Sequence, residues 1–159
     1  MEPMEITIQN LTRTESESAT ELIRQTFDRF VGKEYSVEGR ETFNRFVAPE
    51  SIKKRIENGN PILCAKIRGK LVGLLEIRDE NHIALFFVDE QYHKRGIGKK
   101  LFDYALNEIN NMYPGHKEIT VNSSIFAEKI YKKMGFEKTA ELQEKDGIKF
   151  IPMRYTIKK

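Results

Sequence analysis

A single cysteine, Cys64, leaves no partner for an internal disulfide, which fits a chain kept in a reducing compartment. No apolar run approaches the roughly 20 residues that a membrane helix needs. The opening MEPMEITIQN also lacks the basic stretch and apolar core of a secretory leader. The expectation is a cytoplasmic protein with no membrane partner. Charge of one sign is missing too: 27 basic and 24 acidic residues give a net +3 spread along the chain. A nucleic-acid binder concentrates its basic residues on one face, so no nucleic-acid partner is expected. Three histidines and one cysteine show no H-E-x-x-H or C-x-x-C spacing, and no catalytic metal is expected. What is present is 159 residues with 39% hydrophobic side chains, enough to bury one core. The chain, 1–159, reads as one domain without repeats, low-complexity tracts or linkers.

The alternation E-I-T-I-Q-N over residues 5–10 predicts a strand, and capping residues before Ser16 open a helix in which Ala19, Leu22, Ile23, Phe27 and Phe30 recur at three and four. Two short helices are expected between Ser36 and Asn60, the second opened by Pro49. PILCAKI, LVGLLEI and HIALFFV, separated by turn signals, read as an antiparallel meander. A long helix carries Ile97, Leu101, Ala105, Ile109 and Met112, followed by a strand over Glu118–Val121 and a helix over Ile125–Met134 ended by Gly135. Two strands remain, near Glu137–Leu142 and Ile148–Ile157. The order predicts an α+β (mixed α/β) fold: a mostly antiparallel sheet with helices on both faces.

In F-F-V-D-E-Q-Y-H-K-R-G-I-G-K-K-L-F a strand runs into a basic, glycine-bearing turn that opens a helix. Free N–H groups at such a helix start converge on one point with the positive end of the dipole behind them, which makes an anion site. Gly96 and Gly98 let a ligand approach the backbone closely. The alternative is a turn that needs two glycines beside solvated lysines. Two familiar phosphate loops are excluded by spacing: G-x-x-x-x-G-K-[S/T] is absent, and Leu101 stands where a dinucleotide fingerprint needs a third small residue.

The segment V-x(4)-H-K-R-G-I-G-K-K-L resembles the pyrophosphate-binding motif R/Q-x-x-G-x-G/A of the GNAT superfamily of N-acetyltransferases. Downstream, V-N-S-S-I-F-A-E-K-I-Y-K-K-M-G-F resembles that family's N-x-x-(x)-A-x-x-x-Y-x-x-x-G-F segment. The resemblance runs over residues 61–136. It implies a central twisted sheet of six to seven strands and acetyl-CoA as donor, released as CoA. It also implies a cleft where the fourth and fifth strands splay apart. The implied cofactor contacts are Phe86, Phe87 and Val88 on the strand edge, then His93, Lys94, Arg95, Gly96, Ile97, Gly98 and Lys99 in the turn, with Asn122, Ala127 and Tyr131 downstream. His93 departs from the usual Arg or Gln; imidazole still donates to a phosphate, through a pH-dependent contact.

By the same resemblance Tyr131 is the acid that protonates the departing sulfur, with a core tyrosine as the alternative. For the amine proton, His82 stands six residues before Val88, where the histone-acetylating branch carries a glutamate base; a solvent-facing turn histidine is the alternative. Glu76 competes as base or amine anchor, since alternation puts Leu74, Glu76 and Arg78 on one strand face. Cys64, inside an apolar strand, reads as packing. Tyr35, Phe43 and Phe150 are candidates to line the acceptor site, although each also suits the core. The expected function is transfer of an acetyl group to a primary amine of a small molecule or peptide by direct attack. A homodimer paired through exposed strand edges at the C-terminus is expected on this resemblance. The rivals are a non-catalytic acyl-CoA sensor and, more remotely, a nucleotide-phosphate binding module.

Overall fold

The computed structural model describes residues 5–158. Its elements in chain order are β1 (Ile6–Asn10), α1 (Ser16–Phe30), α2 (Val37–Phe46), α3 (Pro49–Glu57), β2 (Ile62–Ile67), β3 (Lys70–Arg78), β4 (His82–Val88), α4 (Ile97–Met112), β5 (Glu118–Ser123), α5 (Glu128–Met134), β6 (Glu137–Lys138), β7 (Gln143–Lys145) and β8 (Ile148–Thr156). Eight strands form the sheet in the order β1-β2-β3-β4-β5-β8-β6, with β7 also on β8. Every pairing is antiparallel except β4 with β5.

Alternation along the strands sorts side chains onto two apolar layers. One face carries Leu63, Ala65, Leu75, Ile83 and Val121 against α4 residues Ile97, Leu101, Ala105 and Ile109. The other carries Ile62, Cys64, Leu74 and Leu85 against Ala19, Ile23 and Phe27 of α1 and Ile52 of α3. Cys64 is fully buried there, and burial pushes its thiol up to about 11, so it packs as a small hydrophobe.

Two elements differ from the sequence pattern. Helix α5 starts at Glu128 rather than Ile125, because Ser124 Oγ accepts from Ala127 N–H (3.1 Å) and holds the preceding residues as a turn. The strand expected over residues 137–142 is only two residues long, and a separate β7 follows it. Thr139 N–H donates to the Pro152 carbonyl at 2.9 Å, so that side of β8 is also where Pro152 lacks an N–H, and the ladder breaks there.

Candidate active site

The site originates in one extra residue. Across β3 and β4, Glu76 faces Leu85 while Ile77 faces Ile83, so Ala84 is the additional residue of a bulge. A bulge bends its strand and sharpens the local twist. β4 pairs with β5 only at His82↔Thr120 and Ile83↔Val121, after which β4 stays with β3 and β5 with β8. The cleft between them is therefore bordered by the edge Leu85–Val88. Asp89 N–H donates to Val72 on β3, so the Val88 carbonyl in the same peptide unit faces the cleft.

The side chains of that edge alternate. Phe86 and Val88 lie under the N-terminus of α4, and Phe87 points to the opposite layer, near Phe43. Lys94 and Gly96 both hold left-handed backbone, φ +63° and +78°, and Lys100 N–H makes the first helical bond to Gly96 O. Successive turns of this kind point the N–H groups of Ile97, Gly98 and Lys99 outward as an anion nest. A Cβ at Gly98 would sit 3.7–3.9 Å from Phe86 and Val88, ordinary contact distance, so the protein itself does not demand glycine there. The missing side chain keeps a cradle open between the helix end and the strand edge. These features fit a pyrophosphate with an extended arm running along β4.

The basic side chains around the nest are only partly committed to it. His93 Nε2–H donates to the Val88 carbonyl (2.9 Å) and its ring lies 5.5 Å from that of Phe30, so it anchors the end of β4. Lys99 pairs with Asp103 at 2.9 Å, and Arg95 lies over Tyr92, 5.4 Å from the ring centre. Lys94 is exposed at the turn.

On the same side, Tyr131 is buried in the first turns of α5, with its ring 6.1 Å from Phe86 and 5.1 Å from Phe136. Burial raises its phenol well above the ordinary value, so it remains protonated at neutral pH. Ala127 caps α5 one turn earlier, and Asn122 is exposed near the end of β5. Gly135, at φ +108°, ends the helix so that Phe136 N–H returns to Tyr131 O at 3.0 Å.

The two base candidates stand elsewhere. His82 lies where β4 and β5 are still paired, with Nδ1 2.7 Å from Thr120 Oγ1; burial, helped by Arg78, lowers its pKa to about 4. Glu76 is fully buried on the α1 face. Arg55 of α3 grips it through Nε (2.6 Å) and Nη2 (3.1 Å), while Nη1 donates to Phe46 O and the guanidinium lies 4.0 Å from the Phe46 ring centre. Burial raises the Glu76 carboxyl and Arg55 opposes that rise.

Sequence reasoning missed the ties that build the α1 face. Glu34 accepts from Ile125 N–H (2.8 Å) and Phe126 N–H (3.0 Å), and Phe30 stacks on Phe126 at 4.7 Å. Ser36 N–H donates to Gly147 O at 3.0 Å. A Cβ at Gly39 would fall 2.3 Å from that same oxygen. Of these, only the unusual Gly39 in the first turn of a helix was a readable signal. Tyr35 and Phe43, suggested as acceptor-site lining, sit with Phe27 in an aromatic cluster with centroids 4.9 and 4.2 Å from Phe27, and burial raises the Tyr35 phenol to about 12. Phe150 lies on β8 opposite Gln143.

Comparison with known proteins places this arrangement. A GCN5-related N-acetyltransferase from Rhodopseudomonas palustris superposes with a TM-score of 0.81, covering 99% of both chains at 17% identity. The PaiA N-acetyltransferase from Thermoplasma acidophilum, solved with coenzyme A, has a TM-score of 0.75 over 97% of this chain and 100% of its own, at 22% identity. A UPF0039 protein of Schizosaccharomyces pombe is 28% identical over 97 residues, 58% of this chain and 65% of that protein, so the chain spans less than two thirds of that relative's length. The model of the acetyltransferase (GNAT) domain matches residues 31–157. With most of the chain inside that match and the fold shared end to end, the chain belongs to the GNAT family of acetyltransferases.

Proposed function

We propose that the protein is an acetyl-CoA-dependent N-acetyltransferase acting on a primary amine of a small molecule or peptide by direct attack within a ternary complex. The observation that carries the reading is the combination of the nest at Gly96–Lys99 with an unpaired β4 edge leading to a buried, protonated Tyr131. The coenzyme A bound by the PaiA relative supports it.

Acetyl-CoA, when bound, supplies an activated acyl carbon and a thiolate leaving group. The N–H groups of Ile97, Gly98 and Lys99 would hold the pyrophosphate, and the Phe86–Val88 edge would orient the arm, with Asn122 and Ala127 on the α5 side. The amine would enter as the free base, its nitrogen bonding to the acetyl carbon as the carbon–sulfur bond breaks. Tyr131 donates its phenolic proton to the sulfur and recovers one, through water, from the proton the nitrogen sheds. With its phenol raised by burial, Tyr131 is a weaker acid than a thiol near 8.5, so it would hydrogen-bond the developing sulfur charge and pass its proton in step with uptake of the one shed by the nitrogen.

His82 at about 4 is too weak a base to hold an alkylammonium proton, and Glu76 is engaged by Arg55; in this reading both build the site, and solvent removes the amine proton. The protein works in the cytoplasm, and a homodimer through the outer strands is part of the proposal, checked by sedimentation. Acetylation of a panel of amines, followed by CoA release, tests the activity. Tight CoA binding without turnover of any amine would favour the sensor instead.

A further inference from the structure

The turn from β4 to α4 holds a histidine where the sequence motif implies a phosphate contact, yet its side chain is bonded to the backbone instead. His93 Nε2 lies 2.9 Å from the Val88 carbonyl oxygen. A carbonyl only accepts, so the ring proton sits on Nε2. A neutral imidazole has a single N–H, and in this ring it already has its acceptor.

That acceptor is the last carbonyl of the cleft edge. Asp89 N–H goes to Val72 on β3, and strand alternation then turns the N–H and C=O groups of Phe86 and Val88 toward the cleft. Between Val88 and His93 the chain makes one short helical turn, Glu90–Tyr92. Gln91 N–H donates to Asp89 Oδ1 (2.9 Å), Tyr92 N–H to Asp89 O (2.9 Å) and His93 N–H to Glu90 O (3.3 Å). Directly after it, Lys94 and Gly96 in left-handed backbone open the nest. The bond from His93 back to Val88 therefore closes residues 88–93 into a ring and joins the nest to the strand end as one body. The imidazole is half-buried, with Phe30 of α1 beside it at 5.5 Å between ring centres.

Such a lock acts on a ligand held at both ends. When one molecule bridges two subsites, its affinity exceeds that of its separate halves by a factor set by how well their spacing matches the ligand. In this chain that spacing, from the nest at Gly96–Lys99 to the Phe86–Val88 edge, is closed by the His93–Val88 bond.

Building on the acetyltransferase reading, we propose that His93 is a positioning residue that fixes the span between the pyrophosphate nest and the β4 edge, and that it is not itself a phosphate ligand.

The test measures, by NMR titration of the full chain at about pH 8, where an ordinary imidazole is neutral, the affinities for CoA and for its two halves, ADP for the nest and pantetheine for the edge. His93→Phe keeps a ring beside Phe30 and removes the donor. Its affinity for CoA should fall by about 10-fold while ADP and pantetheine each stay within about twofold of wild type, a loss confined to the linkage. His93→Gln should recover CoA affinity to within about threefold, because an amide N–H can replace that of the imidazole. A residue that only supports the fold would weaken the halves along with the whole, and a phosphate ligand would weaken ADP; either result overturns the proposal. The ring nitrogen shifts of the wild type give an independent readout. His93 should keep its single proton on Nε2 with and without ADP, and uptake of a second proton on adding ADP would mark a phosphate contact and refute the assignment. Those spectra decide alone should His93→Phe not fold. CoA bound equally well by wild type and His93→Phe would sink this proposal and leave the acetyltransferase reading standing, whereas a wild type that binds no CoA would sink both.

Discussion

On the α4 face the anion nest is made by consecutive residues, His93 to Lys99, whereas on the α1 face the ties join Glu34 to a turn 91 and 92 positions away and Ser36 to the hairpin at Gly147. The first needs only a local backbone path, with Lys94 and Gly96 in left-handed turns, and any chain with that sequence in front of a helix approaches it. The second exists only once β5, β7 and β8 are in place. The nest can therefore persist on a short segment alone, while the α1 face depends on every loop that meets there.

The largest effect that sharpens this contrast lies at Tyr131, on the α4 face. Tyr131→Phe keeps the ring against Phe86 and removes the proton, so kcat should drop by about 10²–10⁴ with little change in acetyl-CoA affinity, the usual contribution of one acid. Pre-steady-state measurements that separate chemistry from product release check it; a near-normal chemical step would make Tyr131 a packing residue.

Next comes Arg55→Ala, on the long-range side. It strands the Glu76 carboxylate in the core and should cost about 3–5 kcal/mol, read as a melting temperature lower by about 10 °C. CoA affinity in the protein that remains folded should hold, since the nest stands on the other face. Parallel loss of CoA binding would break the division between the faces.

Gly98→Val should weaken CoA binding by about 10- to 100-fold while leaving the melting temperature close to wild type, because the added carbons enter the cradle rather than the packed core. Calorimetric titration beside thermal melts separates the two.

The smallest effect is at His82. Its imidazole sits near 4 in the folded chain and near 6.5 unfolded, so between those values the unfolded state binds the extra proton. The stability from keeping it neutral is complete above about 6.5 and is lost as pH falls toward 4. His82→Asn should flatten that slope in melts from pH 7 to 4, and kcat/KM should carry no limb near 6.5 belonging to this residue. A limb near 6.5 that vanishes in His82→Asn would restore it as the base.

The fold and the glycine turn at the start of α4 were readable because their signals are periodic or contiguous. Ala19, Ile23 and Phe27 mark a helix face, HIALFFV a strand, and H-K-R-G-I-G the turn. The split itself was legible only through the family resemblance; the residue that produces it, Ala84, is an ordinary alanine in a strand, and only the register against β3 shows it to be extra. The role of Glu76 was open for the same reason. Alternation gave its face, but its partner Arg55 lies 21 positions earlier on a helix, and no pattern joins a helix position to a strand position. Pro152 was in plain view, yet which side of β8 its missing N–H faced depends on Thr139.

The unpaired edge of β4 is a hazard that sheet proteins ordinarily keep at their margins, since bare strand edges recruit other chains. Here it lies in mid-sheet, with β5 on its flank, the α4 N-terminus over one face and the aromatic cluster over the other. A strand from a neighbouring molecule would arrive with side chains on both faces of its pleat and collide with both layers. The bulge at Ala84 thus leaves an open edge in a part of the sheet where neighbouring layers, rather than charge or a short strand, keep other chains away from it.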